Sequence, residues 1–324
     1  MEKLIEVLSI QSGSYDQFRM FAYIIRQVKQ IEGASFYVSD GNIYIQRGHS
    51  SDYPCMVAHM DTVHDICEDL YPVVVNGNIT GLNRVTMTQT GIGGDDKVGV
   101  YIALEMLRKF DNIKVAFFRD EEVGCHGSYD ADMGFFKDCR FVLQCDRRGN
   151  DDFITSASGV ELSGKSFQDA VLPIISGFGY KFAHGMMTDV MALKENGIRC
   201  SVANIGCGYY NPHSDNEFVN IYDVQNCLEM CETIIRYCTD MYKHKYKSRH
   251  GYASYTKPTK AISEYKWYEA GNGAMAWEED LGWPDYVDKK NGPSYCRDCW
   301  SGEPVHDGLC KTCVAWYKDH NDHF

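Results

Sequence analysis

A chain of 324 residues, 44% hydrophobic and 24% charged, has the make-up of a soluble globular protein with room for one large domain or two smaller ones. It contains no run of about 18 apolar residues, which excludes an ordinary membrane-spanning helix, and the charges inside Met1-Glu2-Lys3-Leu4-Ile5-Glu6 are not the pattern of a signal peptide. The net charge of −13 lies in the first 240 residues, because residues 241–324 hold 12 basic and 12 acidic side chains; an acidic body argues against broad nucleic-acid binding.

Apolar residues at three- and four-residue spacing predict helices over 2–10 and 16–31. Alternation over 34–38 and 42–46, around Ser39-Asp40-Gly41-Asn42, predicts a hairpin. Residues 54–58 read as a short apolar strand ending at His59, and 97–110 as a helix. A strand over 113–118 stops just before Asp120-Glu121-Glu122, and another over 140–145 ends at Asp146. Helices over 165–180 and 188–196, a strand over 199–205 and a long helix over 221–246 follow. Strands alternating with helices predict an α/β fold, a three-layer sandwich around a mostly parallel sheet. From about residue 243 the apolar periodicity fades. Residues 243–266 hold seven basic and one acidic side chain among Tyr246, Tyr252, Tyr255 and Tyr265. The division expected is a main domain over 1–246, an extended connector over 247–292 and a small module over 293–324.

Within the main domain, His59, Asp95, Glu122, Asp146 and His213 are the imidazole and carboxylate donors that zinc and similar divalent ions take. Five are too many for one tetrahedral ion and the right number for two ions that share a carboxylate. Glu121 is then left over as a base. Two adjacent glutamates on a helix would more simply form a solvated face. In sheets of this class, however, sites gather beyond the carboxyl ends of strands, and His59, Glu121, Glu122, Asp146 and His213 all fall there. Gly91-Ile92-Gly93-Gly94 is not a phosphate loop: it lacks the Lys-Ser/Thr ending and abuts Asp95-Asp96, which repel phosphate.

The phrases His59-Met60-Asp61-Thr62-Val63, Gly93-Gly94-Asp95-Asp96-Lys97-Val98-Gly99, Asp120-Glu121-Glu122-Val123-Gly124, Asp146 and His213-Ser214 stand in an order that resembles the co-catalytic dizinc exopeptidases. That group includes peptidase T, aminoacylase, the glutamate carboxypeptidases and the leucyl aminopeptidases, and the resemblance covers roughly residues 1–240. It implies a zinc-exopeptidase fold with two divalent ions, zinc by preference. Asp95 would bridge them, with His59 and Asp146 completing one and Glu122 and His213 the other. Asp61 would fix the His59 tautomer, and Glu121 would move a proton from water to the leaving amine. The resemblance also implies a cis Asp95–Asp96 peptide. Only 66 residues separate Asp146 from His213, too few for a lid domain and sheet together, so the layout is closer to the lidless leucyl-aminopeptidase branch. Gly185-Met186-Met187-Thr188-Asp189 looks like that branch too. Without a lid to supply an oxyanion donor, Tyr209, Tyr210 and His184 are candidates, each with a plain packing alternative.

The cysteines divide into two sets. Cys55, Cys139, Cys145, Cys200 and Cys207 sit in or beside apolar strands, and Cys227, Cys231 and Cys238 on one helix stripe; these are buried thiols of a reducing compartment, which predicts a cytoplasmic protein. Cys296, Cys299, Cys310 and Cys313 form CxxC, ten residues, CxxC, which resembles a zinc ribbon holding one structural zinc ion. Disulfides there suit the thiol-rich body poorly, and no βαβ unit surrounds the motif as a redox role requires. Beside a basic, tyrosine-rich connector, such a module could touch nucleic acid or a protein partner, and docking is favoured by the neutral balance of the tail.

The sequence thus points to a metal-dependent amide-bond hydrolase, first an aminopeptidase on small peptides. An N-acyl amino acid deacylase or carboxypeptidase is the second reading. The third, of another class, is a binding protein that uses the C-terminal module.

Overall fold

A computed structural model describes residues 1–246 and the backbone of Tyr268–Glu269. Apart from Tyr268–Glu269, the connector over 247–292 lies outside the described residues, as does the cysteine module over 293–324 with Cys296, Cys299, Cys310 and Cys313.

The main sheet runs β10 (Val160–Glu161), β9 (Asp152–Ala157), β12 (Ser201–Gly206), β8 (Cys139–Arg147), β3 (Tyr53–His59), β7 (Ile113–Phe118), β2 (Asn42–Arg47), β1 (Ala34–Ser39), β15 (Tyr268–Glu269), with β11 (Lys181–Gly185) beside β9. Its centre, β12-β8-β3-β7, is parallel. The hairpin β1–β2 continues it antiparallel on one side, and β9 does so beside β12 on the other. β3, β7 and β12 are buried at every position, as expected of parallel strands covered on both faces.

Helix α3 (Gly94–Lys109) lies along β3 and β8 and touches α1 (Glu2–Leu8), α2 (Phe18–Lys29) and α7 (Ile221–Tyr237), which packs in turn on α5 (Lys165–Gly177). α4 (His126–Tyr129) and α6 (Asp189–Glu195) pack together. Strand alternation sorts the two faces. Cys55, Val57, Ala116, Phe118, Val142 and Val202 share a core with Val190, Met191 and Leu193 of α6. The opposite parity of β8 brings Cys145 against Cys231 of α7. This is the α/β sandwich that the alternation of elements predicts.

Two differences from the sequence reading stand out. The long helix over 221–246 ends at Tyr237, because Cys238 leaves helical geometry at φ −89°, ψ 82°. The chain then turns back along the sheet: Tyr242 N–H donates to Arg140 O, Ser201 N–H to Tyr242 O, and His244 N–H to Arg199 O. Burial of Tyr242 against Phe141 and Phe167 outweighs the helical propensity of the segment. Second, residues that showed no clear period form a small sheet, β13 (Tyr209–Tyr210), β14 (Phe218–Asn220), β5 (Asn78–Asn83), β4 (Leu70–Val75), with β6 (Thr88–Thr90) on β5. Its strands β4, β5 and β6 fill the span between His59 and Asp95. The span from Asp146 to His213 is taken up by β9 to β12, α5, α6 and β13.

Candidate active site

His59 ends β3 and Asp146 lies near the end of β8, while Glu121 and Glu122 follow β7 and His213 lies in the loop between β13 and β14. Asp95 opens α3 behind a tight turn. Gly93 in that turn has φ +69°, and a Cβ there would stand 2.9 Å from Lys97 and Thr62 side-chain atoms, so glycine is required. The Asp95–Asp96 peptide is cis.

These loops bring all five expected donors together. His59 Nε2 stands 3.2 Å from Asp95 Oδ1 and 3.6 Å from Asp146 Oδ1. His213 Nε2 stands 3.3 Å from Asp95 Oδ2 and 3.2 Å from Glu122 Oε2. Asp95 therefore offers one oxygen to each of two three-residue sets, His59-Asp95-Asp146 and Asp95-Glu122-His213. Nitrogen and oxygen donors about 2.0–2.1 Å from a tetrahedral ion stand about 3.3 Å apart, so both sets have the spacing that an ion needs. Glu121 Oε2 lies 3.9 Å from His59 Nε2, beside the first set.

His59 Nδ1 lies 2.9 Å from the Asp61 carbonyl oxygen, which can only accept. Nδ1 thus carries the proton and Nε2 presents its lone pair to the cluster. The Asp61 carboxylate is 3.4 Å from the same Nδ1, and it also accepts from the backbone N–H of Glu121 at 2.9 Å and of Glu122 at 3.3 Å. Asp61 holds three candidate site residues at once.

The electrostatics also favour cations. Burial, reinforced by the charges of Asp146, Asp189 and Glu122, pushes the Glu121 carboxyl well above its usual range. Burial and the Asp95 charge push Asp146 up to about 8. Burial opposes the Asp95 charge, yet hydrogen bonds to His213 and His59 hold that carboxyl well below its usual range. Hydrogen bonds to Asp95 and Glu122 raise His213 to about 10. Glu122 Oε1 and Asp189 Oδ1 are buried without a hydrogen-bond partner. So many buried carboxylates with unsatisfied oxygens are costly unless cations neutralise them. The residues present fit two divalent ions.

Sequence reading missed the residues that hold this cluster. Glu217, fully buried, accepts from Gly93 N–H at 2.7 Å and Asp95 N–H at 3.1 Å, and its Oε2 lies 2.9 Å from His64 Nε2. It joins the Asp95 turn to the His213 loop and to the segment after His59. Gln144 Nε2 donates to Asp146 Oδ2 and Asp189 Oδ2, each at 3.1 Å, while Thr188 Oγ1 donates to Gln144 Oε1 at 2.8 Å. Asn204 brackets the Asp146 backbone, accepting from its N–H and donating to its carbonyl. A polar Gln144 inside an apolar strand, two residues from Asp146 and therefore on the same face, was the available signal. Nothing in the sequence marks Glu217.

Of the three oxyanion candidates, Tyr209 reaches the cluster, its hydroxyl donating to Asp146 Oδ1 at 3.3 Å. Tyr210 donates to Asp223 and His184 bonds Ser156 at the β9–β11 edge. A cleft of about 590 Å³ adjoins His213 and is lined by Asp65, Glu68, Asp69 and Asp215. No helix among the described residues is long and apolar enough to cross a membrane.

No protein-family model matches this chain, and no curated protein matches it in sequence. Solved structures match its fold. Aminopeptidase PepT from Bacillus cereus ATCC 10987 superimposes with a TM-score of 0.58 at 13% identity, over 72% of this chain and 96% of that one. A tripeptidase from Staphylococcus aureus subsp. aureus mu50 gives 0.56 at 13% identity, over 72% and 97%. The TET1 peptidase of Pyrococcus horikoshii, which can assemble into a tetrahedron or a large octahedral shell, gives 0.54 at 14% identity, over 72% and 98%. At such identities the likeness establishes a shared fold: the mixed α/β sandwich described above is the one on which these peptidases are built.

Proposed function

We propose that the protein is a two-metal amide hydrolase, most simply an aminopeptidase that removes residues from short peptides. One observation carries this reading: the two oxygens of Asp95 face separate histidine-carboxylate sets, His59 with Asp146 and His213 with Glu122, while Glu121 lies beside them as a member of neither set. Structural neighbours that are themselves an aminopeptidase and a tripeptidase support it. The acidic cleft beside His213 also supports it, because it favours an amino terminus and repels a free carboxylate.

In this reading the two donor sets hold divalent ions, zinc by preference, and such a pair polarises an amide carbonyl and lowers the pKa of water. Glu121 takes the proton of the attacking water and delivers it to the departing amine, work for which its place beside the His59 set suits it. Asp61 aims His59 and, through two backbone N–H groups, the Glu121-Glu122 pair. Tyr209 orients Asp146. Residues 1–246 make up the catalytic domain, 247–292 a connector, and 293–324 a module with one zinc ion on Cys296, Cys299, Cys310 and Cys313 that engages a protein or nucleic acid. The ten described cysteines are free thiols, which suits a cytoplasmic setting.

Hydrolysis of a dipeptide panel in free-amine and N-acetylated forms, with Glu121→Gln as control, tests the reading. Cleavage of the free-amine set alone, lost in the control with metal retained, is expected. Cleavage of the acetylated set alone makes the protein a deacylase or carboxypeptidase. Failure of both sets in a metal-loaded protein overturns the peptidase assignment.

A further inference from the structure

A second donor cluster lies on the opposite face of β8. Cys145 occupies the strand position just before Asp146. Cys227 and Cys231 stand four residues apart on α7, a spacing that puts both on one helix face. All three are fully buried. Cys145 Sγ lies 3.5 Å from Cys231 Sγ and 3.8 Å from Cys227 Sγ, and the three sulfurs fall within 4.8 Å of one another. Thiolates about 2.3 Å from a tetrahedral zinc ion stand about 3.8 Å apart. No other trio of thiols converges in this way among the described residues. The Tyr180 side chain stands within hydrogen-bond reach of Cys227. The Tyr180 hydroxyl donates its hydrogen to Gly206 O at 2.7 Å, which leaves an oxygen lone pair for the pocket.

We propose that Cys145, Cys227 and Cys231 form a structural site for a thiophilic ion, zinc in the first place, with the Tyr180 hydroxyl as the fourth donor. Buried thiols usually serve as small apolar side chains. Here, instead, a strand and a helix bring three sulfurs together, with Cys145 at 3.5 and 3.8 Å from the other two, near the edge length of a zinc–thiolate tetrahedron. Soft thiolates select zinc or copper(I) over the oxygen-seeking ions. On binding, the thiols release their protons to solvent. The site is sealed, so the ion enters during folding and plays no part in chemistry. Its effect is to pin the end of β8 to α7, one residue from Asp146. The site does not depend on the hydrolytic reading.

The test uses the full-length chain with Cys296, Cys299, Cys310 and Cys313 all changed to serine, so that thiolates of the tail do not contribute. The protein is refolded with cadmium, and sulfur-to-cadmium charge-transfer absorption is measured. The carboxylate-imidazole cluster contains no sulfur and is silent in this measurement. The expected result is one cadmium per chain with that absorption, lost in Cys227→Ser and in Cys231→Ser. A tail variant with native circular dichroism and no such absorption shows that the thiols only pack, and overturns the proposal. Absorption that survives both single substitutions also overturns it. Should the serine variants fail to fold, cadmium nuclear magnetic resonance of the folded tail variant decides: a thiolate-shifted cadmium signal supports the site, and its absence refutes it.

Discussion

Cys145 and Asp146 are neighbours on one strand, yet they serve clusters of opposite chemistry. Asp146 faces α6 and joins imidazoles and carboxylates in a site that is open to solvent, with the His213 side chain 51% exposed. Cys145 faces α7 and joins thiols in a pocket with no exposure. The period-two alternation of a strand separates the two donor classes by one residue. What differs is access. The open cluster is within reach of solvent and solutes. The sealed one can only stabilise the place where strand and helix meet.

The sharpest way to break this comparison is to remove the shared carboxylate. Asp95→Ala takes a donor from both sets of the open cluster and none from the thiols. Both ions should be lost and peptide hydrolysis abolished, while the cadmium–sulfur absorption of the buried cluster stays. Equilibrium dialysis against zinc reads the first outcome. A variant that binds as many ions per chain as the parent protein, instead of two fewer, would refute a bridging Asp95.

A smaller effect is expected at Glu217. Glu217→Gln keeps the shape but takes away the charge that gathers Gly93 N–H, Asp95 N–H and His64. Residues that orient metal ligands typically alter affinity by about 10–100-fold on mutation, and zinc affinity of the open cluster should weaken by about that factor. An unchanged affinity would mean that the Asp95 turn holds itself without this support.

How much of this was legible in the sequence follows from what each residue does. The donors were legible because metal chemistry restricts them to few side chains and the sheet places them at strand ends. β3, β7, β8 and β12 were legible as apolar runs. The small sheet was not: the run Leu70–Val75 alternates poorly, with Tyr71, Val74 and Val75 exposed, so it carries no clear period. Glu217 was not, because its work is to bind backbone N–H groups more than 120 residues away, and a long-range contact of that kind leaves no local spacing. The thiol cluster was half legible. The stripe of Cys227 and Cys231 was visible on the helix, but its meeting with Cys145 depends on how α7 lies across β8.

Acid provides a graded test of the open cluster. Without ions, burial and the Asp95 charge push Asp146 up to about 8, and hydrogen bonds to Asp95 and Glu122 raise His213 to about 10. Both groups must lose protons before they can bind a cation. Metal uptake at neutral pH should therefore release protons, and affinity should rise with pH by up to about tenfold per unit for each proton displaced. Titration of zinc into weakly buffered protein with a pH indicator measures the release. Uptake without proton release would show that ions bind elsewhere.

The smallest expected effect concerns the helix on the sealed side. Asn220 caps α7, its side-chain oxygen accepting from Tyr222 N–H at 3.0 Å and Asp223 N–H at 3.1 Å. Its amide also donates to Asn78 at 2.8 Å in the small sheet. Asn220→Ala should cost about 1 kcal/mol, the usual loss for an N-cap, seen as a modest fall in Tm with hydrolysis and zinc content of the open cluster unchanged. The cap acts on the first turn, whereas Cys227 and Cys231 lie two and three turns further on. Effects at separated positions without shared partners add within about 0.5 kcal/mol. The cost of Asn220→Ala should then be the same with Cys227 present or replaced by serine. A cost that vanishes once Cys227 is replaced would mean that α7 is set by the thiol cluster and the cap together, and the sealed site would reach as far as the edge of the small sheet.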